Sequence, residues 1–156
     1  MSISLSDLPP KAREQAIAKL AVAEVKRRNK QSGVTYTILA PPVTKKNSSR
    51  ILINHATGRP FVAPSKQYKD YEKLAGQYLT PLPTKPIEAA VNVKCVYYMP
   101  THRRVDLANL ISATCDILVH YGVLADDNSN IVVSHDGSRV GYDKEKPRAE
   151  ITITEV

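Results

Sequence analysis

The residues best suited to chemistry in this chain are acids. Asp106 opens a helix-periodic apolar run, Asp116 follows ten residues later, and Asp126-Asp127 lie just past its end. Converging carboxylates offer hard oxygen ligands. Mg2+ typically takes one or two of them together with waters and a substrate phosphate, and such an ion polarises a phosphodiester and supplies a hydroxide. Bases able to hold a polyanion accompany them. Lys45, Lys46 and Arg50 share one Pro-led loop, and Arg103 and Arg104 directly precede Asp106. Each acid also has a plainer role: an Asp at a helix start caps free N–H groups, Asp-Asp-Asn suits a turn, and an Asp on a helix face is solvated.

The elements around these residues follow from spacing. In DLANLISATCDILVHYG, Leu107, Leu110, Ile111, Thr114, Ile117, Leu118 and Tyr121 form one helical face, and Gly122 ends it. A helix of about 16 residues is roughly 24 Å long. Asp106 and Asp127 are therefore far apart unless the 126–127 segment folds back along the helix, which the return of the chain to a sheet allows. The preceding IEAAVNVKCVYYM reads as a long central strand, with Cys95 a small core residue, and THRRVD as a basic loop.

Earlier, VTYTIL (34–39) is a strand, APPVTKKNSSR a polar loop, and ILIN and RPFVA a hairpin around HATG. Ser65 caps a helix whose Tyr68, Tyr71, Leu74, Ala75, Tyr78 and Leu79 fall at core spacing, so these tyrosines are expected inside rather than stacked on bases. Strands at 130–134 and 148–154 close the chain around a polar loop. Residues 1–33 read as an appendage: Ser6 or Asp7 as cap, Pro9-Pro10, a thin stripe of Ala16, Leu20, Ala23 and Val25, a basic end, then Gly33. The order β-β-β-α-β-α-β-β predicts an α+β fold: a single domain over 34–156, a mixed sheet with helices packed on it, and an N-terminal helical extension over 1–33.

Composition narrows the classes. A chain of 156 residues suits one domain, and two Cys make no disulfide framework. No apolar run approaches the roughly 20 residues a membrane helix needs, so no membrane partner is expected. The start, MSISLSDLPPKAREQ, lacks a secretory pattern, which predicts a cytoplasmic location. GxxxxGK[ST], GxGxxG and CxxC are missing and the four His share no ligand spacing, so no small-molecule cofactor is expected. The net charge of +7 hides a gradient: seven bases and three acids in 1–30, nine and three in 31–100, six and nine in 101–156. A basic surface suits a polyanion, and the acidic last third is what points past binding towards metal-dependent hydrolysis.

The run MPTHRRVDLANLISATCDILVHYGVLADDNSNI resembles the RusA-type Holliday-junction resolvases: a strand ending Met99-Pro100, basic Arg103-Arg104, Asp106, Asn109, the helical Asp116, Gly122 and the Asp126-Asp127 turn. PPVTKKNSSR and AEITITE match the family's Pro-rich basic segment and last strand, so the likeness covers about 34–155. It implies a homodimer that resolves branched DNA in recombination and repair with Mg2+, or Mn2+ in its place. It places catalytic and metal-binding carboxylates at Asp106, Asp127 and Asp126, DNA contacts at Lys45, Lys46, Arg50, Arg103 and Arg104, and support at Asn109 and Asp116. Two positions depart from the pattern. Ala108 stands where the family has a second Asp, and Ser112 where it has a Lys. These leave an alternative: a RusA-like branched-DNA-binding protein without catalysis.

Overall fold

The structure is a computed structural model that describes residues 9–31, 33–45 and 49–156, with backbone alone for 22–31. Lys46, the expected Ser6 or Asp7 cap, and the basic side chains ending the first helix lie outside the described residues. The elements in order are α1 (Pro10–Gln31), β1 (Val34–Ile38), β2 (Arg50–Ile53), β3 (Pro60–Ala63), α2 (Lys66–Tyr78), β4 (Val91–Met99), α3 (Leu107–His120), β5 (Val132–Ser134), β6 (Arg139–Tyr142) and β7 (Arg148–Glu155). The fold is α+β, with three helices and a mixed five-stranded sheet.

β4 lies inside that sheet. It pairs antiparallel with β7, which pairs antiparallel with β1. Its other edge takes β5 near Val91 and β6 from Val96 to Met99, both parallel. The alternation of β7, RAEITITE, explains its place: Ala149, Ile151 and Ile153 point into the core, and the polar residues between them face outward. Val91, Val93, Cys95 and Tyr97 supply the matching face of β4.

Two helices cover that face. α2 is capped by Ser65, whose hydroxyl accepts from the Tyr68 N–H at 3.1 Å, and it buries Tyr68, Tyr71 and Ala75. The tyrosines are core, as their spacing predicts. α3 buries Leu110, Ala113, Thr114, Cys115, Ile117 and Leu118. Thr114 bonds back to the Leu110 carbonyl at 2.9 Å and meets the Tyr97 hydroxyl at 2.7 Å, which satisfies both polar groups inside the core. α2 and the end of α3 meet where Gly76 faces the Tyr121 ring with no room for a Cβ. Tyr121 donates from there to the Glu72 carbonyl at 3.1 Å. At Gly122 (φ 72°) the chain adopts the left-handed turn that glycine tolerates.

Two features differ from the sequence-based reading. The expected polar loop between the last strands contains β6, and β2–β3 form a separate two-stranded sheet rather than joining the main one. Among the described residues, no helix is long and apolar enough to cross a membrane.

Candidate nucleic-acid interface and carboxylate site

β4 ends at Met99, and the chain crosses to α3 through residues 100–106, carrying Arg103 and Arg104 into solvent. The crossing ends on Asp106, the N-cap of α3. Asp106 Oδ1 accepts from the N–H groups of Ala108 (2.9 Å) and Asn109 (3.4 Å), and Oδ2 accepts from Asn109 Nδ2 at 3.1 Å. The helix start therefore fixes this carboxylate, and Asn109 orients its second oxygen. A negative charge there is favoured by the helix dipole.

A cleft of about 340 Å³ runs beside the crossing. One wall is Pro41–Thr44 and the other is Met99–Thr101 with Arg103 and Arg104. Among the described residues neither arginine pairs with an acid, so both remain available to a polyanion. Lys66 and Arg148 contrast with them. Lys66 is bound to Asp70 at 2.8 Å, and Arg148 is held by Asp143 (2.8 Å) and Glu150 (2.7 Å) over the Tyr98 ring.

The loop after Thr44 reaches α3 directly. Lys45 Nζ lies 3.0 Å from Asp116 Oδ2 and 5.9 Å from the Tyr68 ring centroid. Both charged side chains are partly exposed, so the pair contributes at most about 1 kcal/mol to stability. Its consequence is positional, because it ties the Pro-led loop to the outer face of α3.

Past Gly122, the Val123 and Leu124 N–H groups both return to the Leu118 carbonyl, and Leu124 bridges Ile87. Asp126 then organises a turn. Its Oδ1 accepts from the Asp127 N–H at 2.8 Å, and Oδ2 accepts from Asn128 Nδ2 at 2.7 Å. The Asn128 amide first, then the Asp127 backbone, hold the Asp126 carboxyl below the usual carboxylate value. Asp127 is exposed. Burial pushes the Cys115 thiol up to about 12, helped by Cys95 and then by the charges of Asp127 and Asp116. After α3 the chain runs beside Ile87, whose carbonyl accepts from the Ala125 N–H at 3.0 Å.

The site residues fall into linked groups: Asp106 with Asn109, Lys45 with Asp116, and Asp126 with its own turn. No hydrogen bond joins Asp106 to Asp127 among the described residues, and no set of three His, Cys, Asp or Glu side chains there is arranged to hold a metal. Arg50 is exposed at the start of β2. One feature escaped the sequence reading. His102 stacks on Tyr142 of β6, with ring centroids 3.7 Å apart, beside Arg103.

The family profile for endodeoxyribonuclease RusA matches residues 39–154. The chain belongs to the RusA family. No curated protein matches it. RusA membership implies a metal-dependent endodeoxyribonuclease lineage that engages branched DNA. The matched span contains every site residue described above and begins after α1. Ala108 and Ser112 sit on exposed positions of α3. Ala108 contributes only its N–H to Asp106, and Ser112 lies one helical turn before Asp116. The donors that remain are carboxylate oxygens, which suit Mg2+ in kind. Their number suits a site completed by water and a DNA phosphate rather than a closed protein cage.

Proposed function

We propose that this protein is a Mg2+-dependent, structure-specific endodeoxyribonuclease acting on four-way junctions or related branched DNA. The observation that carries this reading is the Asp106 carboxylate, fixed at the α3 N-terminus next to a cleft walled by Arg103 and Arg104, neither paired with an acid among the described residues. Asp106 and Asp127 would ligate the ion, with Asp126 holding the turn that presents Asp127. Bound there, the ion would polarise the scissile phosphodiester and lower the pKa of a water. Arg103, Arg104, Lys45, Lys46 and Arg50 hold the phosphate backbone, and Asn109 and Asp116 keep Asp106 and Lys45 in place. We assign the endonuclease to residues 34–156, with 1–33 an addition to it, and place its action in recombination or repair on DNA inside the cell.

A specific observation favours a second reading, binding without cleavage. Ala108 and Ser112 remove one carboxylate and one cation from the exposed face of α3. The two readings separate in one assay. A labelled four-way junction incubated with protein and Mg2+ yields paired nicks under the first. Under the second it yields a salt-sensitive complex and no product with either Mg2+ or Mn2+.

A further inference from the structure

His102 and Tyr142 form an aromatic pair that the nuclease reading does not use. In the parallel register of β4 and β6, Tyr97 sits beside Val140 and Met99 beside Tyr142. Registered neighbours point to one side of a sheet, so Val140 and Tyr142 stand on the face where Tyr97 is buried under the helices. Val140 is 39 % and Tyr142 44 % exposed, so the helices stop short of β6. His102, from the β4–α3 crossing, lies over the Tyr142 ring with centroids 3.7 Å apart and planes at 27°, and it too is exposed. Neither the Tyr142 hydroxyl nor a His102 ring nitrogen has a hydrogen-bond partner among the described residues. The pair is therefore an uncovered stack of two rings with free polar edges.

Its surroundings indicate what it fits. A cavity of about 280 Å³ lies against the pair, close to the ~300 Å³ at which ligand pockets begin. Met99, Thr101 and Arg103 line both this cavity and the larger cleft beside the crossing. A strand whose phosphate Arg103 holds therefore has a neighbouring base within reach of the rings. The cavity wall offers flat π-surface, one guanidinium and no acid. That combination suits a nucleotide: the base stacks whatever its identity, and the cation serves the phosphate. An acidic peptide would use Arg103 and leave the rings idle. A base inside a duplex is already stacked on its neighbours, whereas one left unpaired or unstacked at a branch point costs least to take out.

We propose that the His102–Tyr142 pair receives one unpaired or unstacked base of the bound strand, stacked on its rings while Arg103 holds the adjacent phosphate. The inference rests on the branched-DNA reading and deepens it. It gives the protein a means of telling a branch from a continuous duplex, which phosphate contacts alone do not supply.

Binding of the full chain to a labelled four-way junction tests it, with each branch-point base replaced in turn by an abasic residue. For wild type, one replacement should weaken binding about 5- to 140-fold. Tyr142→Ala should weaken binding to the intact junction by a similar factor and lose that sensitivity. Its salt slope should stay unchanged, because no phosphate contact goes. Tyr142→Phe keeps a ring and should behave as wild type. His102→Ala, in the exposed crossing, covers the case in which Tyr142→Ala disturbs β6, and should repeat the loss of sensitivity. A wild type indifferent to every abasic position, or Ala variants that keep its sensitivity, overturns the proposal. A reduced salt slope in Tyr142→Ala assigns the rings to phosphate and overturns it too. A wild type that prefers no junction over linear duplex overturns the branched-DNA reading instead. The stacking then stands if wild type, but not Tyr142→Ala, binds a single strand more tightly than an abasic strand of the same length, and falls if the two behave alike.

Discussion

Lys45 and Asp116, 71 residues apart in sequence, meet at 3.0 Å between Nζ and Oδ2. The contact fixes the Pro-led basic loop against the helix α3, whose exposed positions include Ala108 and Ser112. Because the pair is partly exposed, its removal should show in function more than in stability. Lys45→Ala should change unfolding free energy by less than about 1 kcal/mol while weakening junction binding several-fold at low salt. A large fall in Tm with unaltered binding would reverse that assignment.

Asp106 serves as both helix cap and metal-ligand candidate, and two substitutions separate these roles. Asp106→Ala removes an N-cap and should cost about 0.5–2 kcal/mol. Asp106→Asn keeps a good cap, so its denaturant midpoint should stay near wild type while Mg2+-dependent cleavage is lost. If Asp106→Asn cleaves normally, the carboxylate is structural alone.

Arg103 and Arg104 line the cleft without acid partners among the described residues. Each Ala substitution should reduce the slope of log K against log [salt] for junction binding by about 1. Arg148→Ala should leave that slope unchanged, since its guanidinium is committed to Asp143 and Glu150. Equal slopes in all three variants would place the DNA elsewhere.

Asp143 links the β6–β7 turn to acid stability. The Lys146 backbone N–H and then the Arg148 guanidinium hold its carboxyl below its ordinary value of 3.8. A depressed folded pKa contributes stability that is present above the unfolded value and lost as pH falls through the folded one. Thermal unfolding of wild type should thus weaken below about pH 4, and Asp143→Asn should weaken less steeply there. Identical acid profiles would remove Asp143 from this role.

Much of this arrangement was legible in the sequence because it is local. The period of DLANLISATCDILVHYG gives α3, Ser65 gives the start of α2, and the alternation of AEITITE gives β7. Asp106 reads both as cap and as ligand, and the cap is what the structure displays. What escaped depends on distant partners. RVGY is four residues among turn formers and becomes β6 only because β4 offers it an edge. The stacking of His102 on Tyr142 depends on that pairing. Lys45 carries no local sign that Asp116 will meet it. RILI and RPFV announce a hairpin, but nothing in their spacing says that they pair only with each other.

The most direct test is cleavage of a labelled four-way junction by wild type, Asp106→Asn and Asp127→Asn, with binding followed in parallel. A metal site at Asp106 and Asp127 predicts Mg2+-dependent paired nicks by wild type, and loss of cleavage with retained binding in both variants. Variants that cleave as well as wild type, or a wild type that binds junctions and gives no product with Mg2+ or Mn2+, would contradict it.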